Sequence, residues 1–321
     1  MTFMAKINEK FDLTGKRVWV AGHNGLVGSA IVRRLQSEDC EIVTVSHREL
    51  DLTRQADTEE WLRQMRPQVI FVAAARVGGI VANATYPVDF LYVNTMIAMN
   101  IMKAAADLGT EKLLWLGSSC VYPKFASQPI DEHSLLTGPL EPTNEAYAIA
   151  KIAGIKLAQA YSKQYGVRSI SAMPTNLYGP NDNFDLETSH VLPALIRKIH
   201  EAKIAGTDAV VWGTGNGLRE FLHADDLADA CVYLMKNYSD SHLINVGSGR
   251  EISIRDLAYL IADIVGFRGR IVFDVTKPDG TPRKLVNSDR LRALGWTART
   301  ELRSGIEQVY LHWLDKVAMP A

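Results

Sequence analysis

The sequence is short of the features that mark several protein classes. Cysteine is scarce. The three residues, Cys40, Cys120 and Cys231, are far apart and odd in number, which argues against a disulfide framework, and no spacing suits a zinc site, so no metal is expected. Long hydrophobic runs are missing: the best, Val69 to Ala84, is interrupted by Arg76, too early for a bilayer span. No Lys/Arg-rich run occurs and the formal net charge is −1, so neither a nucleic-acid partner nor an anionic membrane surface is indicated. Met1 to Lys16 carries scattered charges and no apolar signal core, and the expected location is the reducing cytoplasm. Repeats and low-complexity tracts are absent too. What remains is ordinary globular composition over 321 residues, enough for one large domain or two coupled ones.

Against that background, glycine is placed with purpose. The apolar run Arg17-Val18-Trp19-Val20-Ala21 leads into Gly22-His23-Asn24-Gly25-Leu26-Val27-Gly28. Leu26, Val27, Ala30, Ile31 and Leu35 then share one helical face. Strand, glycine turn and helix in that order form the context of a dinucleotide fingerprint. The glycines allow a tight turn and close approach of backbone N–H groups to a pyrophosphate at the helix N-terminus. Chance gives only about 0.1 such glycine spacings in a chain of this composition; the competing reading is a glycine-rich turn without a ligand. A second strand, Glu41 to Val45, ends in Ser46-His47-Arg48. A free ribose 2′-hydroxyl calls for an acid at this tip, whereas a guanidinium suits a 2′-phosphate. Glu49 is close, but Arg48 stands at the tip, which favours NADP(H) over NAD. The alternative is that Arg48 is a solvated turn residue.

Strand and helix patterns continue to alternate. Helical residues run from about Ala56 to Met65, Pro87 to Leu108 and Tyr147 to Tyr165; strands are expected at Val69 to Ala73, Lys112 to Leu116 and Val167 to Met173. This alternation predicts a doubly wound parallel α/β sheet of the Rossmann type. After Pro180 the pattern changes to a smaller α/β portion, with helices at Val191 to Ala205, Ile254 to Val265 and Ser304 to Val317 and strands at Ala209 to Trp212, Leu243 to Val246 and Arg270 to Val275. The expected division is a cofactor-binding domain over 1–180 and a substrate-binding portion over 181–321, with some of its segments returning to the main sheet.

The chemistry gathers at Gly117-Ser118-Ser119-Cys120-Val121-Tyr122-Pro123, where the fourth strand ends, and at Tyr147-Ala148-Ile149-Ala150-Lys151. Residues four apart share a helix face, so Tyr147 and Lys151 can enter one cleft with Ser118. The ammonium is expected to lower the phenol's pKa and make Tyr147 an acid–base group for a carbonyl or alcohol oxygen. Y-x-x-x-K alone is weak, with about 0.5 chance matches; its weight comes from lying downstream of the glycine loop and of a strand-end serine. Cys120 could be a small structural thiol, and His190, at the start of a helix, a cap-region residue.

Gly22–Gly28, Gly117–Pro123, Tyr147–Lys151, Pro174–Pro180 and Lys277-Pro278-Asp279-Gly280-Thr281-Pro282-Arg283-Lys284 together resemble the GDP-L-fucose synthases, within the extended short-chain dehydrogenase/reductase family. The resemblance covers nearly the whole chain. It implies an NADPH-dependent enzyme that epimerises GDP-4-keto-6-deoxy-D-mannose at C3 and C5 and then reduces C4. By resemblance Tyr147, Lys151 and Ser118 serve the reduction, and Cys120 and His190 are the base and acid of epimerisation. Gly22, His23, Asn24, Gly25, Leu26, Val27, Gly28, Arg48, Lys151, Pro174, Asn176, Leu177 and His190 line the cofactor. Lys198, Trp212, Arg219 and Asp279 hold the nucleotide sugar; Trp212 is equally compatible with ordinary core. The resemblance also implies a homodimer, with the Pro87–Leu108 and Tyr147–Tyr165 helices pairing across a two-fold. The alternatives are another nucleotide-sugar epimerase, 4-ketoreductase or dehydratase of the same family, and a non-catalytic NADP-sensing module. A dehydratase would carry an acidic pair where Ser119-Cys120 stands, and a sensor would not need to keep both Tyr147 and Lys151.

Overall fold

The computed structural model describes residues 10–277 and 279–318. Residues 1–9, within the charged N-terminal stretch, and Pro278 of the Lys277–Lys284 segment lie outside the described residues. The first part of the chain alternates: β1 (Arg17–Ala21), α1 (Leu26–Leu35), β2 (Glu41–Val43), α2 (Gln55–Met65), β3 (Val69–Val72), α3 (Ile80–Thr85), α4 (Pro87–Asp107), β4 (Lys112–Leu116), α5 (Glu145–Tyr165) and β5 (Ser169–Pro174). Then come β6 (Asn176–Tyr178), α6 (Val191–Ala205), β7 (Ala209–Trp212), β8 (Leu218–His223), α7 (Ala224–Asn237), β9 (Ile244–Val246), β10 (Glu251–Ser253), α8 (Ile254–Val265), β11 (Ile271–Asp274), β12 (Arg283–Lys284), α9 (Asp289–Ala293) and α10 (Leu302–Ala318).

The central sheet runs β2-β1-β3-β4-β5-β9, every pair parallel. Three of its inner strands, β1, β3 and β4, are largely continuous apolar runs because helices cover both faces. Side chains alternate between the two cores: Val18, Val20, Val69, Phe71, Leu114 and Leu116 face α1 and α7, while Trp19, Ala21, Ile70, Val72, Leu113 and Trp115 face α2, α4 and α5. Each buried Val, Leu, Ile or Phe among them contributes ~1.5–3 kcal/mol. An edge ion pair such as Arg17–Glu41, with both side chains over a third exposed, adds at most ~1 kcal/mol. The apolar faces therefore decide the register. The chain leaves β1 for β2 on one side and crosses to β3 on the other, so the strand order reverses at the carboxyl ends of β1 and β3, where a ligand crevice forms. The doubly wound parallel sheet expected from the alternation is what the structure has.

Beyond β5, the chain contributes to both parts of the molecule. β9 pairs with β5 and α7 packs in the α1 core. A second sheet is built on β8, flanked by β10 and β12 and joined by β6, beside the β7–β11 pair. Helices α6, α8 and α10 close a separate core around Tyr178, Leu195, Ile199, Leu257 and Trp313.

Several boundaries differ from expectation. The second strand stops at Val43, because as an edge strand it is held only through Arg17–Trp19 of β1. The Tyr147 helix starts at Glu145 after a tight turn over Pro142–Asn144. The elements α3, β6, β10, β12 and α9, two to six residues each, were not marked from the sequence, being too short to show a period. Among the described residues, no helix is long and apolar enough to cross a membrane.

Candidate active site

The glycine loop is built by close backbone approach. A Cβ on Gly22, which sits at φ +83°, would lie 2.7 Å from the Ala74 nitrogen, and one on Gly28 would lie 2.0 Å from the Gly22 carbonyl oxygen. Gly25 caps α1 without a side-chain hydrogen bond, and the first turn of that helix holds no acidic residue. His23 and Asn24 complete the loop, and Leu26 and Val27 anchor it on the core. Free helix N–H groups with no carboxylate nearby fit a pyrophosphate. At the next loop, the Glu49 carboxylate is turned onto Ser46, accepting from its backbone N–H at 3.0 Å and its hydroxyl at 2.6 Å. His47 and Arg48 are left exposed at the tip, an arrangement that fits a 2′-phosphate rather than a bare ribose diol.

At the end of β4, the Ser118 hydroxyl oxygen accepts the Cys120 N–H at 3.2 Å, capping a single tight turn over Ser119–Val121. That turn fixes the Cys120 thiol beside the start of α5. Helix α5 approaches β4 closely at Gly154, where a Cβ would meet the Trp115 ring at 2.6 Å. The approach carries Lys151 into the interior. Its ammonium donates to the Leu116 carbonyl at 2.7 Å and lies 4.4 Å above the Trp115 ring and 5.8 Å from the Tyr147 ring. Burial pulls its pKa down to about 7. The Tyr147 ring stands edge-on to Phe90. Its phenol corrects the expectation of a lowered pKa: burial pushes it up, the charge of Cys120 adds to the rise, and only the Ser118 hydrogen bond opposes them. The physical reason is that α5 buries Lys151 and half-buries Tyr147 beside it, and desolvation disfavours both ionised forms.

Cys120 is surrounded differently. Asn144 Nδ2 donates to its Sγ at 3.2 Å and Lys284 Nζ at 3.3 Å. Burial would raise this thiol, but the Lys284 charge and the hydrogen bonds of Ser118, Lys284 and Asn144 outweigh it, and the pKa falls. His190 precedes α6 with extended backbone and makes no side-chain cap. The residue is exposed to solvent; partial desolvation by neighbouring protein, then the Lys284 charge, holds its pKa below the usual value.

The residues expected to hold substrate divide into two groups. Lys198 Nζ lies 4.4 Å over the Trp212 ring, with Lys277 Nζ at 5.5 Å. Trp212 is 43% exposed, which removes the core reading and leaves an aromatic face at the surface. Arg219 is held by donation from Nη1 to the Leu218 carbonyl at 2.8 Å and from Nη2 to the Asp279 carbonyl at 3.0 Å. The Asp279 carboxylate is occupied: it accepts the Thr214 N–H at 2.7 Å and the Thr214 hydroxyl at 2.9 Å. Pro174 closes β5; in β6, Asn176 Nδ2 donates to the Glu220 carbonyl at 2.7 Å, and Leu177 packs on the α1 core.

Two residues with contacts to Cys120 were not singled out from the sequence. Asn144 carried no signal beyond standing three residues before Tyr147. Lys284 lay within a segment quoted for its pattern, but nothing linked that segment to Cys120, 164 residues away.

A profile of the NAD dependent epimerase/dehydratase family matches residues 18–247. A GDP-L-fucose synthase of Sinorhizobium fredii is 57% identical over 95% of this chain and 98% of its own. GDP-L-fucose synthase 1 of Arabidopsis thaliana is 57% identical over 98% of each. Among solved structures, a GDP-L-fucose synthetase from Naegleria fowleri bound to NADP superposes with a TM-score of 0.89 at 31% identity, covering 97% of this chain and 98% of that one.

Proposed function

The chain belongs to the NAD dependent epimerase/dehydratase family, and from that membership and the chemistry of its cleft we propose that it converts GDP-4-keto-6-deoxy-D-mannose to GDP-L-fucose with NADPH as reductant. In this reading residues 1–180 hold the cofactor and 181–321 the substrate, with parts of the latter in the main sheet. The observation that carries it is the donor-wrapped thiol of Cys120 beside Ser118 and Tyr147, a base that plain 4-ketone reduction would not need.

NADPH, when bound, supplies a hydride for C4. The side chains do the proton work. Ser118 and Tyr147 meet the C4 oxygen, where negative charge develops in both stages. Cys120 takes the proton from C3 or C5: the C–H bond breaks, its electron pair moves onto the C4 oxygen, and an S–H bond forms. His190 delivers a proton on the opposite face, which inverts the centre. In the reduction Tyr147, kept protonated by burial, gives its proton to the C4 oxygen. Lys151, fixed on the Leu116 carbonyl, orients this end of the cleft and the cofactor ribose. Lys198 and Arg219 suit the diphosphate, and Trp212 offers its face to the nucleotide side with Asp279 nearby.

The same reading makes the protein a cytoplasmic homodimer. Val88, Leu91 and Tyr92 on α4 and Ile149 on α5 are exposed apolar side chains on the two helices expected to pair across a two-fold. Sedimentation should give about twice the chain mass, and a monomer would remove the dimer.

The deciding experiment incubates the protein with GDP-4-keto-6-deoxy-D-mannose and NADPH in deuterated water. NADPH oxidation with deuterium at C3 and C5 of a GDP-6-deoxy-L-galactose product is expected. Reduction without deuterium would leave a 4-ketoreductase and make Cys120 and His190 structural; no turnover would sink the substrate assignment.

A further inference from the structure

A thiol enclosed by protein is a poor base unless its surroundings favour the charged form. The groups facing Cys120 come from every element packed around it. The end of β4 supplies Ser118, the turn before α5 supplies Asn144, and β12 supplies Lys284. Tyr147 of α5 and Arg219 of β8 both feel the thiol's charge, and His190 feels that of Lys284. Two more cations, Lys124 and Arg283, line the adjoining cavity, but each is committed to a carboxylate: Lys124 to Glu141 at 2.9 Å and Arg283 to Glu251 at 2.8 Å. Among the described residues Lys284 has no carboxylate partner, and its hydrogen bond goes to the sulfur.

That ammonium is also held in place. Lys284 pairs with Arg219 across β12 and β8. The next two residues are pinned, Leu285 N–H to Gln128 Oε1 at 2.9 Å and Val286 N–H to Glu220 Oε2 at 3.0 Å. Ile130 N–H donates to the Leu285 carbonyl at 2.7 Å. A strand of two residues would otherwise be weakly held, and these bonds fix where its lysine points.

Resting on the reading of Cys120 as the proton-abstracting base, we propose that Lys284 holds Cys120 as a thiolate, so that inversion at C3 and C5 depends on a cation carried by β12. Lys284 transfers no proton in this step. Before abstraction its partner is the thiolate; afterwards it is the neutral thiol, whose new S–H proton came from the substrate carbon and passes to solvent before the next abstraction, whether at the second carbon or in the next turnover. Lys284 is in this sense a positioning residue acting through Cys120. Its charge opposes the burial that would otherwise protonate the sulfur.

The test needs no substrate. The full chain is alkylated with iodoacetamide across pH 5 to 10 on the order of minutes, and the Cys120 peptide is quantified by mass spectrometry, with Cys40 and Cys231 as internal references in the same digest. Lys284→Met, Lys284→Gln and Lys284→Arg are compared with the parent, and NADPH binding by fluorescence reports that each has folded. In Met and Gln variants the midpoint of Cys120 alkylation should rise by about one pH unit, leaving about tenfold less thiolate at pH values below both midpoints, while Arg restores most of the parent midpoint. A midpoint that stays put in folded Met or Gln variants overturns the proposal, as does an Arg variant behaving like Met. The two readings fail separately. A low parent midpoint that Lys284→Met raises, with no deuterium entering the sugar, supports this assignment and removes the epimerase reading. Deuterium exchange with an unmoved midpoint removes this assignment alone.

Discussion

Tyr147 and Cys120 lie on either side of Ser118 in one cleft, and burial pushes both acids the same way. At Tyr147 burial prevails: one hydrogen bond from Ser118 opposes it, the nearby thiol's charge adds to it, and the phenol keeps its proton. At Cys120 the ammonium of Lys284 and the donors Ser118 and Asn144 overcome it, and the thiol moves towards ionisation. The difference lies in where Lys151 and Lys284 direct their protons. Lys151 gives its hydrogen bond to a backbone carbonyl, whereas Lys284 gives its own to the sulfur. One end is thereby a proton donor and the other a proton acceptor, which is the pairing that protonation of an alkoxide and abstraction from carbon require.

The sharpest way to break this comparison is to remove each acid in turn. Cys120→Ser should lower deuterium exchange at C3 and C5 by ~10²–10⁴-fold, while Tyr147→Phe lowers NADPH oxidation by a similar factor; product NMR and absorbance separate the two. If both variants lost both steps equally, the two ends would not be distinct.

Lys151→Met tests the dry end. The buried amine titrates near a pKa of about 7 against 10.5 for a free lysine. The unfolded chain therefore binds this proton more tightly than the folded one. Burial costs nothing above the unfolded value, costs progressively more as pH falls from 10.5 to about 7, and costs its full amount below that. Removing the amine should raise the melting temperature at pH 7, an effect on the order of a few kcal/mol, and should make stability less dependent on pH between neutrality and 10.5. Reduction should collapse at the same time. A lower melting temperature across that range would show that the ammonium is stabilised where it sits.

Gly154→Ala probes how the dry end is assembled. In an open helix this change gains ~1 kcal/mol. Here the new methyl would collide with the Trp115 ring, so a loss of ~1–3 kcal/mol is expected, with α5 displaced from β4 and slower reduction. A stabilised variant with full activity would show that the close approach is dispensable. The smallest effect belongs to Asn144→Ala, which removes one neutral donor from the sulfur. The alkylation midpoint of Cys120 should rise by about half a pH unit, less than for Lys284→Met.

Much of this arrangement was legible in the chain. The inner strands announced themselves as apolar runs, because a parallel sheet covered on both faces has no polar side. The bounds of α6, β7 and α8 match the sequence reading. Gly22 and Gly28 carried their geometry with them, since the absent side chain is itself the reason for the turn. Tyr147 and Lys151 were legible as a pair through helical spacing taken together with their place downstream of the glycine loop and of a strand-end serine. Their ionisation was not, because the sign of a pKa shift depends on how deeply α5 is buried, and that depth follows from Gly154 meeting Trp115. Trp212 could be core or surface until α6 and β7 had their places.

Periodicity, turn chemistry and four-residue spacing act between neighbours in the chain, so they determined the fold class, the cofactor loop and the half of the cleft made by β4 and α5. The thiol's environment was decided only by tertiary structure. It depends on a lysine 164 residues away, on a strand too short to carry a pattern, and on the buried Glu220 and half-buried Gln128 side chains that hold the end of that strand in place. Charge acts through space rather than along the chain, and so the groups that set the state of Cys120 could be identified only once the strands carrying them had been brought together.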